Sequence, residues 1–182
     1  MNSEELSDAA RFTRIYRETY PKVLTYMRRR TDEGAAPDLT AEVFTRAWRK
    51  RNDLWRAKTP LAWLYGISRN VVLEFYRSRG HDQEAMQALE RNVVQHADTT
   101  DAIDQALDIV VALKTMNQKD REILLLSAWE DLEGADLGAA LGVSAGAARV
   151  RLHRARARLA KALTKHWQSN TINNEKSSRS QS

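Results

Sequence analysis

Hydrophobic residues recur at three- and four-residue steps along most of the chain, and this spacing places them on one face of an α-helix. The first such stretch covers residues 12–30, the second covers 38–51 and the third covers 60–79. Each stretch is long enough for several helical turns, and short breaks separate them. The pattern predicts one small helical domain over residues 10–80, preceded by a polar N-terminus of residues 1–9.

The next segment, residues 81–104, has a different character. It contains six acidic residues against a single arginine, Arg91. We therefore predict a flexible acidic linker, in which the spacing of Met86, Leu89 and Val93 leaves room for a helical part. A solvated helix or spacer that does no more than tether its neighbours is the alternative interpretation.

Helical periodicity resumes in a second predicted domain, residues 105–166. Within it Asn117 is placed to cap a helix, and Asp120 is placed three residues later to complete a pair that resembles a capping box. The remaining residues, 167–182, are polar and rich in serine and asparagine. That composition predicts a disordered tail.

A helix-turn-helix pattern occupies the later part of this second domain. A short apolar helix ends at a tight turn, and a longer helix follows it. Gly142 can adopt the left-handed conformation that such a turn often needs, and Ser144 can cap the longer helix. The predicted fold class is all-α, with two small helical domains joined by a flexible acidic linker and a helix-turn-helix in the C-terminal domain.

The final helix has a narrow apolar stripe, and the rest of its surface carries positive charges without negative ones. No acidic residue occurs between Ser144 and His166, although a solvated helix usually mixes both signs because like charges repel. A basic surface favours a polyanion, and small residues at the helix start allow close approach in the DNA major groove. A solvated or protein-binding face is the alternative. The candidate DNA contacts are Ser144, Ala145, Gly146, Ala147, Arg149, Arg151, His153, Arg154 and Arg156.

Composition narrows the possible function classes. The chain has 182 residues, a formal net charge of +5 and no cysteine, which excludes disulfides, thiol nucleophiles and thiolate metal sites. The four histidines are scattered, and neither a glycine-rich phosphate loop nor a nucleophile motif is present. We therefore predict no enzymatic activity, no metal and no cofactor. No secretion signal or membrane-spanning run stands out, so a cytoplasmic protein is expected.

Several runs resemble conserved regions of the extracytoplasmic-function sigma factors. Two of them are similar to the family's second region: Asp-Leu-Thr-Ala-Glu-Val-Phe-Thr-Arg-Ala-Trp at residues 38–48 and Pro-Leu-Ala-Trp-Leu-Tyr-Gly-Ile-Ser-Arg-Asn at residues 60–70. Three others look like the family's fourth region, at residues 121–126, 141–146 and 151–159. The resemblance covers about residues 10–165 in the family's order. It implies a protein that recruits core RNA polymerase to promoters.

The resemblance also implies where the polymerase and other partners would bind. The helix of residues 38–48 would dock on the clamp coiled coil of the polymerase's largest subunit, and the polymerase flap is a second expected contact. Asp38 and Glu42 would pair with the coiled coil while Leu39 and Val43 bury against it. Capping of its own helix is the alternative role for Asp38. An anti-sigma factor is a further partner that membership of the family implies.

By the same resemblance, residues 56–77 would recognise and melt the minus-ten element of a promoter. Melting costs about 1.4 kcal/mol of stacking per step, so the freed bases need stacking and hydrogen-bonding partners. The acidic linker would thread the RNA exit path and mimic RNA there. For Trp63 and Tyr65 a place in the domain core is the alternative. The candidates for minus-ten recognition are Arg56, Lys58, Thr59, Trp63, Tyr65, Arg69, Asn70 and Arg77.

Two non-enzymatic alternatives remain open at this level. A stand-alone helix-turn-helix regulator that does not bind polymerase would bind duplex DNA tightly and specifically by itself. A sigma factor of this type should bind promoters weakly unless core polymerase is present. A decoy that binds polymerase without initiating transcription is the other alternative.

Overall fold

The computed structural model of the chain describes residues 3–79, 82–95 and 99–179. Within these ranges every regular element is an α-helix, as the hydrophobic spacing predicted. The helices are α1 (Ser3–Arg30), α2 (Ala36–Arg49), α3 (Arg51–Arg56), α4 (Pro60–Arg79), α5 (Asp82–Gln95), α6 (Thr100–Lys114), α7 (Gln118–Trp129), α8 (Gly134–Leu141) and α9 (Ala145–Arg179).

Helices α1 to α4 form the N-terminal domain around an apolar core. Val23 and Met27 of α1, Val43 of α2, Leu54 of α3 and Leu64 of α4 are all fully buried or within 1% of it. Burial of a side chain of this size stabilises the folded state by about 1.5–3 kcal/mol, because its apolar surface is removed from water. The core therefore holds α2 and α4 at a set orientation on α1.

The segment predicted to be an acidic linker with room for a helical part contains helix α5 over residues 82–95. Leu89 of α5 is buried, and Met86 and Val93 pack partly buried against the core. These apolar residues share one side of the helix, which the acidic composition of the whole segment does not reveal. Residues 81 and 96–98 lie outside the described residues. Two ion pairs fasten α5 to its neighbours, Arg91 to Asp32 of the α1–α2 turn at 2.9 Å and Glu90 to Lys114 of α6 at 2.7 Å.

Helices α6 to α9 form the C-terminal domain. Asn117 caps α7 as predicted: its Oδ1 accepts from the Asp120 backbone N–H at 2.9 Å, and its Nδ2 donates to Asp120 Oδ2 at 2.7 Å. The amide of Asn117 therefore satisfies a backbone donor that the helix itself cannot pair. The core of the domain is apolar and contains Val110, Leu113, Ile123, Leu126, Leu137, Ala148, Leu152 and Ala155.

The N-terminal residues predicted only to be polar are part of helix α1, which begins at Ser3. Asp8 explains why the helix extends so far. Its carboxylate accepts from Arg51 Nε at 2.9 Å and from Trp55 Nε1 at 3.0 Å, so the first turns of α1 are attached to α3. This polar segment therefore includes a helical turn that is bonded to its neighbour through the charged side chain of Asp8.

The C-terminal segment predicted to be disordered continues helix α9 as far as Arg179. The first part of this extension is attached to α6 through Asp108. That carboxylate accepts from Trp167 Nε1 at 2.7 Å and lies 2.9 Å from His166 Nε2. The prediction of disorder is wrong for residues 167–179, because serine and asparagine allow a helix that is already nucleated to continue. Residues 180–182 lie outside the described residues.

The two domains are in direct contact. Helix α8 packs on α4, and the turn that follows α7 lies against the end of α1. Helix α5 contacts both α1 and α6, so it bridges the domains at a second place. We call this state of the molecule the closed arrangement.

Candidate nucleic-acid interface

The turn between α8 and α9 has the geometry that the sequence predicted. Gly142 is left-handed, with φ 66° and ψ 35°. The Val143 N–H donates to the Gly138 carbonyl at 2.9 Å, and the Gly142 N–H donates to the Ala139 carbonyl at 3.3 Å, which together form a Schellman motif. Ser144 Oγ accepts from the Ala147 N–H at 3.2 Å and so caps α9.

Helix α9 buries its apolar stripe and exposes its basic residues. Ala148, Leu152 and Ala155 are buried against the rest of the domain. The N-terminal turn of α9 is open to solvent at Gly146. The basic side chains lie on both flanks of the apolar stripe. Of the predicted DNA-contacting residues, the exposed members are Ser144, Gly146, Arg149, Arg151, His153, Arg154 and Arg156, and the half-buried members are Ala145 and Ala147.

Two arginines of α9 are also used within the domain. Arg158 Nη1 donates to both carboxylate oxygens of Asp120 at 2.8 Å, and Arg156 Nη2 donates to Ser127 Oγ at 3.2 Å. Asp120, with a side chain 12% exposed, thus holds α7 to α9 as well as serving the Asn117 cap. Sequence periodicity could not separate these internally bonded arginines from Arg149 and Arg151, because all of them lie on the solvent side of one helix.

The residues predicted for minus-ten recognition divide between two faces of α4. Trp63, Asn70 and Arg77 recur at seven-residue steps and therefore share one face. Asn70 and Arg77 are exposed and Trp63 is half-buried. The preceding loop lies where the sequence placed it, between Arg56 and Pro60. In that loop region Arg56 and Lys58 are exposed, and Thr59 is half-buried.

Tyr65 and Arg69 lie on another face of α4, where Tyr65 is buried and Arg69 is half-buried. Tyr65 is 3% exposed and stacks on Tyr26 with ring centroids 5.3 Å apart, so it belongs to the core and cannot stack on a base in this arrangement. Arg69 Nε lies 2.6 Å from Glu122 Oε2 of α7. Arg69 Nε is buried and forms no hydrogen bond, so its contact with Glu122 is an ion pair.

The buried tyrosines make the stability of the fold sensitive to alkali. Burial raises the pKa of Tyr26 to about 12 and holds the pKa of Tyr65 above its ordinary value. The native state therefore keeps a proton that the unfolded chain loses near pH 10. This stabilisation is fully present below pH 10 and is lost as the pH rises from about 10 to about 12.

We expect Tyr26 to contribute about 2–3 kcal/mol to this loss. The measurement is the free energy of unfolding in urea as a function of pH. Tyr26→Phe should flatten the curve above pH 10, while Tyr16→Phe, at an exposed position, should follow the wild type. Equal curves for the wild type and Tyr26→Phe would contradict this assignment.

The candidate polymerase-binding residues lie on α2, and three of the four reach its surface. Asp38 is exposed in the first helical turn, and Leu39 is half-buried beside it. Asp38 does not cap the helix, because the cap residue is Ala35 and no side chain bonds there. Val43 is fully buried in the core, so it supports α2 from behind and does not belong to the exposed surface.

Glu42 is exposed in part but is already engaged. Its Oε1 accepts from Arg46 Nε at 2.7 Å, and the other nitrogens of Arg46 bond both carboxylate oxygens of Glu74 on α4. These contacts raise the pKa of Arg46 and lower that of Glu74. Glu42 is therefore the end of a network that joins α2 to α4, and Asp38 is the more available of the two acids.

Among residues 3–79, 82–95 and 99–179, no cluster of histidine and carboxylate side chains could hold a metal ion. Over the same residues no helix combines the length and the apolar character needed to span a bilayer.

Comparison with known proteins agrees with this division of the chain. The family model for sigma-70 region 2 matches residues 15–81, and the model for sigma-70 region 4 matches residues 106–159. The RNA polymerase sigma-E factor of Streptomyces coelicolor is 30% identical over 128 residues, which are 70% of this chain and 71% of that protein. A probable RNA polymerase sigma factor of Xanthomonas campestris, RfaY, is 34% identical over 133 residues. Those residues are 69% of this chain but only 33% of the Xanthomonas protein.

The fold has a counterpart among solved structures. The sigma factor RpoE of Bartonella quintana, in a complex with the anti-sigma factor NepR, superposes with a TM-score of 0.57 and 24% identity over 84% of this chain and 96% of that one. That likeness concerns the fold alone. The two matched regions and the Streptomyces relative establish the family. The chain belongs to the sigma-70 family, among its extracytoplasmic-function RNA polymerase sigma factors.

Proposed function

We propose that the chain binds core RNA polymerase and directs promoter recognition, DNA melting and transcription initiation. The observation that carries the proposal is that sigma-70 region 2 and region 4 occur together and in order in one chain. A helix-turn-helix alone would suit a repressor equally well. A region 2 domain on the same chain is the feature that a stand-alone regulator does not need.

Helix α9 is assigned to the minus-thirty-five element. In a helix-turn-helix the second helix lies in the major groove, and its N-terminal residues contact base edges. Arg149 and Arg151 are exposed close to that end, so they are the side chains assigned to base edges or adjacent phosphates. Arg154 and His153 follow one turn later and contribute positive potential along the DNA backbone.

The exposed face of α4 and the loop before it are assigned to the minus-ten element. Base–aromatic stacking returns about 1–3 kcal/mol per base, which offsets the cost of opening. Trp63 is the half-buried aromatic residue of this face, and Asn70 and Arg77 add an amide and a guanidinium. Arg56 at the end of α3 and Lys58 in the loop before α4 would attract the phosphates of the displaced strand.

The first turn of α2 is assigned to the clamp coiled coil of the polymerase's largest subunit. Asp38 supplies an exposed charge and Leu39 an adjacent apolar contact. The polymerase flap is assigned to the C-terminal domain. An anti-sigma factor is a further proposed partner, since the related fold of Bartonella RpoE was solved in complex with one.

The acidic residues that follow the N-terminal domain are assigned to the RNA exit path of the polymerase. Asp101 and Asp104 are exposed at the start of α6. Helix α5 would have to leave its place on α1 to enter that path, because Leu89 is buried there in the closed arrangement. A negative chain in a basic channel would then be displaced by the growing transcript.

The test is a binding measurement with purified core polymerase, followed by run-off transcription from DNA upstream of the chain's own gene. We expect binding to core and transcripts that require both proteins. Tight duplex binding without affinity for core would overturn the proposal in favour of a stand-alone regulator. Binding to core without any transcript from a melted template would indicate a decoy.

A further inference from the structure

A cavity of about 100 Å³ lies where helices α1, α4, α5 and α7 meet. Most of its wall is aliphatic or aromatic, and arginine side chains form its polar part. Sites for small molecules have this character, since a largely apolar wall holds the body of a ligand and a few polar groups fix its orientation. The apolar lining includes Val72, Leu73, Met86, Leu89, Leu125 and Trp129.

Arg30, which lines this cavity, has a buried donor without an acceptor. Its side chain is only 10% exposed, and Nη1 donates to Glu130 Oε1 at 2.7 Å. Its Nη2 is buried and has no hydrogen-bond partner. The guanidinium carbon lies 3.7 Å from the centre of the Tyr26 ring, but an aromatic ring offers no lone pair in place of an oxygen acceptor. Buried donors are rarely left unpaired, so Nη2 indicates an acceptor that comes from outside the chain.

The charges around the cavity favour an anion. Arg29, Arg30 and Arg69 line it, and among the side chains that the structure describes they form ion pairs with two glutamates, Glu122 and Glu130. Three guanidinium groups therefore share two carboxylates. A third carboxylate, supplied by a ligand, would balance these charges and form a charge-assisted hydrogen bond with a guanidinium donor.

We propose that this cavity binds a short-chain aliphatic monocarboxylate. The carboxylate accepts from Arg30 Nη2, and the hydrocarbon body lies among Leu73, Met86 and Leu125. A cavity of about 150 Å³ holds benzene, so the smaller volume here suits a body of about four carbon atoms. The inference goes beyond the proposed function, and the binding that it predicts requires neither polymerase nor DNA.

Water is the alternative occupant of the cavity. A buried water molecule makes about two to four hydrogen bonds, and the lining offers polar partners mainly at its arginine end. Water in the rest of the cavity would face apolar side chains. A carboxylate with a hydrocarbon body satisfies both parts of the lining, because its charged end pairs with Arg30 and its apolar end displaces water from Leu73 and Leu125.

The test is a titration of the full chain with isovalerate, which has a hydrocarbon body of this size. The reporter is the methyl group of Met86, observed by NMR in protein labelled at its methionine methyl groups. We expect the Met86 signal to shift saturably with a Kd of about 1 mM or lower, which a ligand of this size can reach. Met116 is buried away from the cavity lining, so its signal should stay in place. Isovaleramide has the same shape without the charge and should bind about ten-fold more weakly.

Two variants locate the ligand within the cavity. Leu73→Phe places a larger side chain in the cavity and should abolish the shift of Met86. Leu24→Phe makes the same change at a half-buried position of α1 that does not line the cavity, so it should leave binding unchanged. Arg30→Lys keeps a positive charge for Glu130 but has no Nη2, and it should weaken binding about ten-fold. Circular dichroism shows whether each variant is folded.

Three results would overturn the proposal. A folded wild-type chain whose Met86 signal does not shift with isovalerate would mean that the cavity holds water only. Equal affinities for isovalerate and isovaleramide would show that no cationic group recognises the ligand. Unchanged binding by a folded Leu73→Phe chain would place the ligand outside the cavity. If Leu73→Phe fails to fold, the comparison of isovalerate with isovaleramide and the Arg30→Lys variant still decide the question.

Discussion

Replacing Asp38 with arginine is expected to weaken binding to core RNA polymerase by about 100-fold or more. Asp38 is exposed in the first turn of α2 and is not used as a helix cap. Placing like charges together across an interface costs several kcal/mol, and about 2.7 kcal/mol already corresponds to 100-fold. The measurement is a titration of labelled chain with core polymerase, with run-off transcription falling in parallel.

The same experiment on three other variants separates docking from general charge effects. Asp38→Asn should cost less, about ten-fold, because it removes an attraction without adding a repulsion. Glu42→Arg should weaken binding and also loosen α2 from α4, since Glu42 is bonded to Arg46. Glu33→Arg carries the same change of charge at an exposed position five residues before Asp38. Wild-type affinity for Asp38→Arg, or an equal loss for Glu33→Arg, would show that α2 is not the docking surface.

Replacing Arg149 and Arg151 together with alanine is expected to weaken recognition of the minus-thirty-five element by about 100-fold or more. Both side chains are exposed near the N-terminal end of α9. Each good contact to a base edge contributes about 1–3 kcal/mol of discrimination. The measurement is binding of holoenzyme to promoter DNA, with and without that element, over a range of salt concentrations.

The salt dependence distinguishes the two possible roles of these arginines. Loss of one phosphate contact lowers the slope of log K against log salt by about 0.9, whereas loss of a base contact lowers discrimination between sequences and leaves the slope unchanged. Lys165→Ala, at an exposed position near the end of the basic run, is the matched control and should change binding little. An equal loss for Lys165→Ala would mean that net charge, and not position, determines binding.

Arg158 gives a third and different expectation on the same helix. Its two bonds to Asp120 hold α9 on α7, so Arg158→Ala should lower the stability of the C-terminal domain more than it lowers DNA affinity. The sequence of the basic helix alone does not distinguish Arg158 from the neighbouring arginines. Partners on other helices, here Asp120, decide which arginines are available to DNA.

The local elements of the candidate site could be predicted because their causes are local. A glycine that must be left-handed, a serine that caps the next helix and the Asn117–Asp120 pair each depend on residues within a few positions of one another. The apolar stripe of α9 follows in the same way from the helical repeat. These features are properties of short segments, and the structure confirms each of them.

Composition was a poorer guide than periodicity for the linker and the two ends. Six acids over residues 81–104 suggested flexibility, but Met86, Leu89 and Val93 were spaced to bury one side of a helix. Polar residues 3–9 and 167–179 are helical because long-range contacts, such as Asp8 with Arg51 and Asp108 with Trp167, hold the helix ends in place. The composition of a segment averages over all sides of a helix, so it does not show that apolar residues lie on one side and polar residues on the other.

The sequence by itself determined the class of this protein. Short segments of the sequence encode the helices, the helix-turn-helix, the basic surface of α9 and the order of the two sigma regions. Only the tertiary structure decided which candidates are available, because burial and ion pairing depend on where distant segments meet. Tyr65 belongs to the core, where it stacks on Tyr26, and Val43 is buried in the core behind Asp38. Arg69 forms an ion pair with Glu122, which is 53 residues away in the chain. A hydrophobic repeat determines which side of a helix is buried. Only the tertiary structure shows which other helix covers it, as α8 covers part of α4.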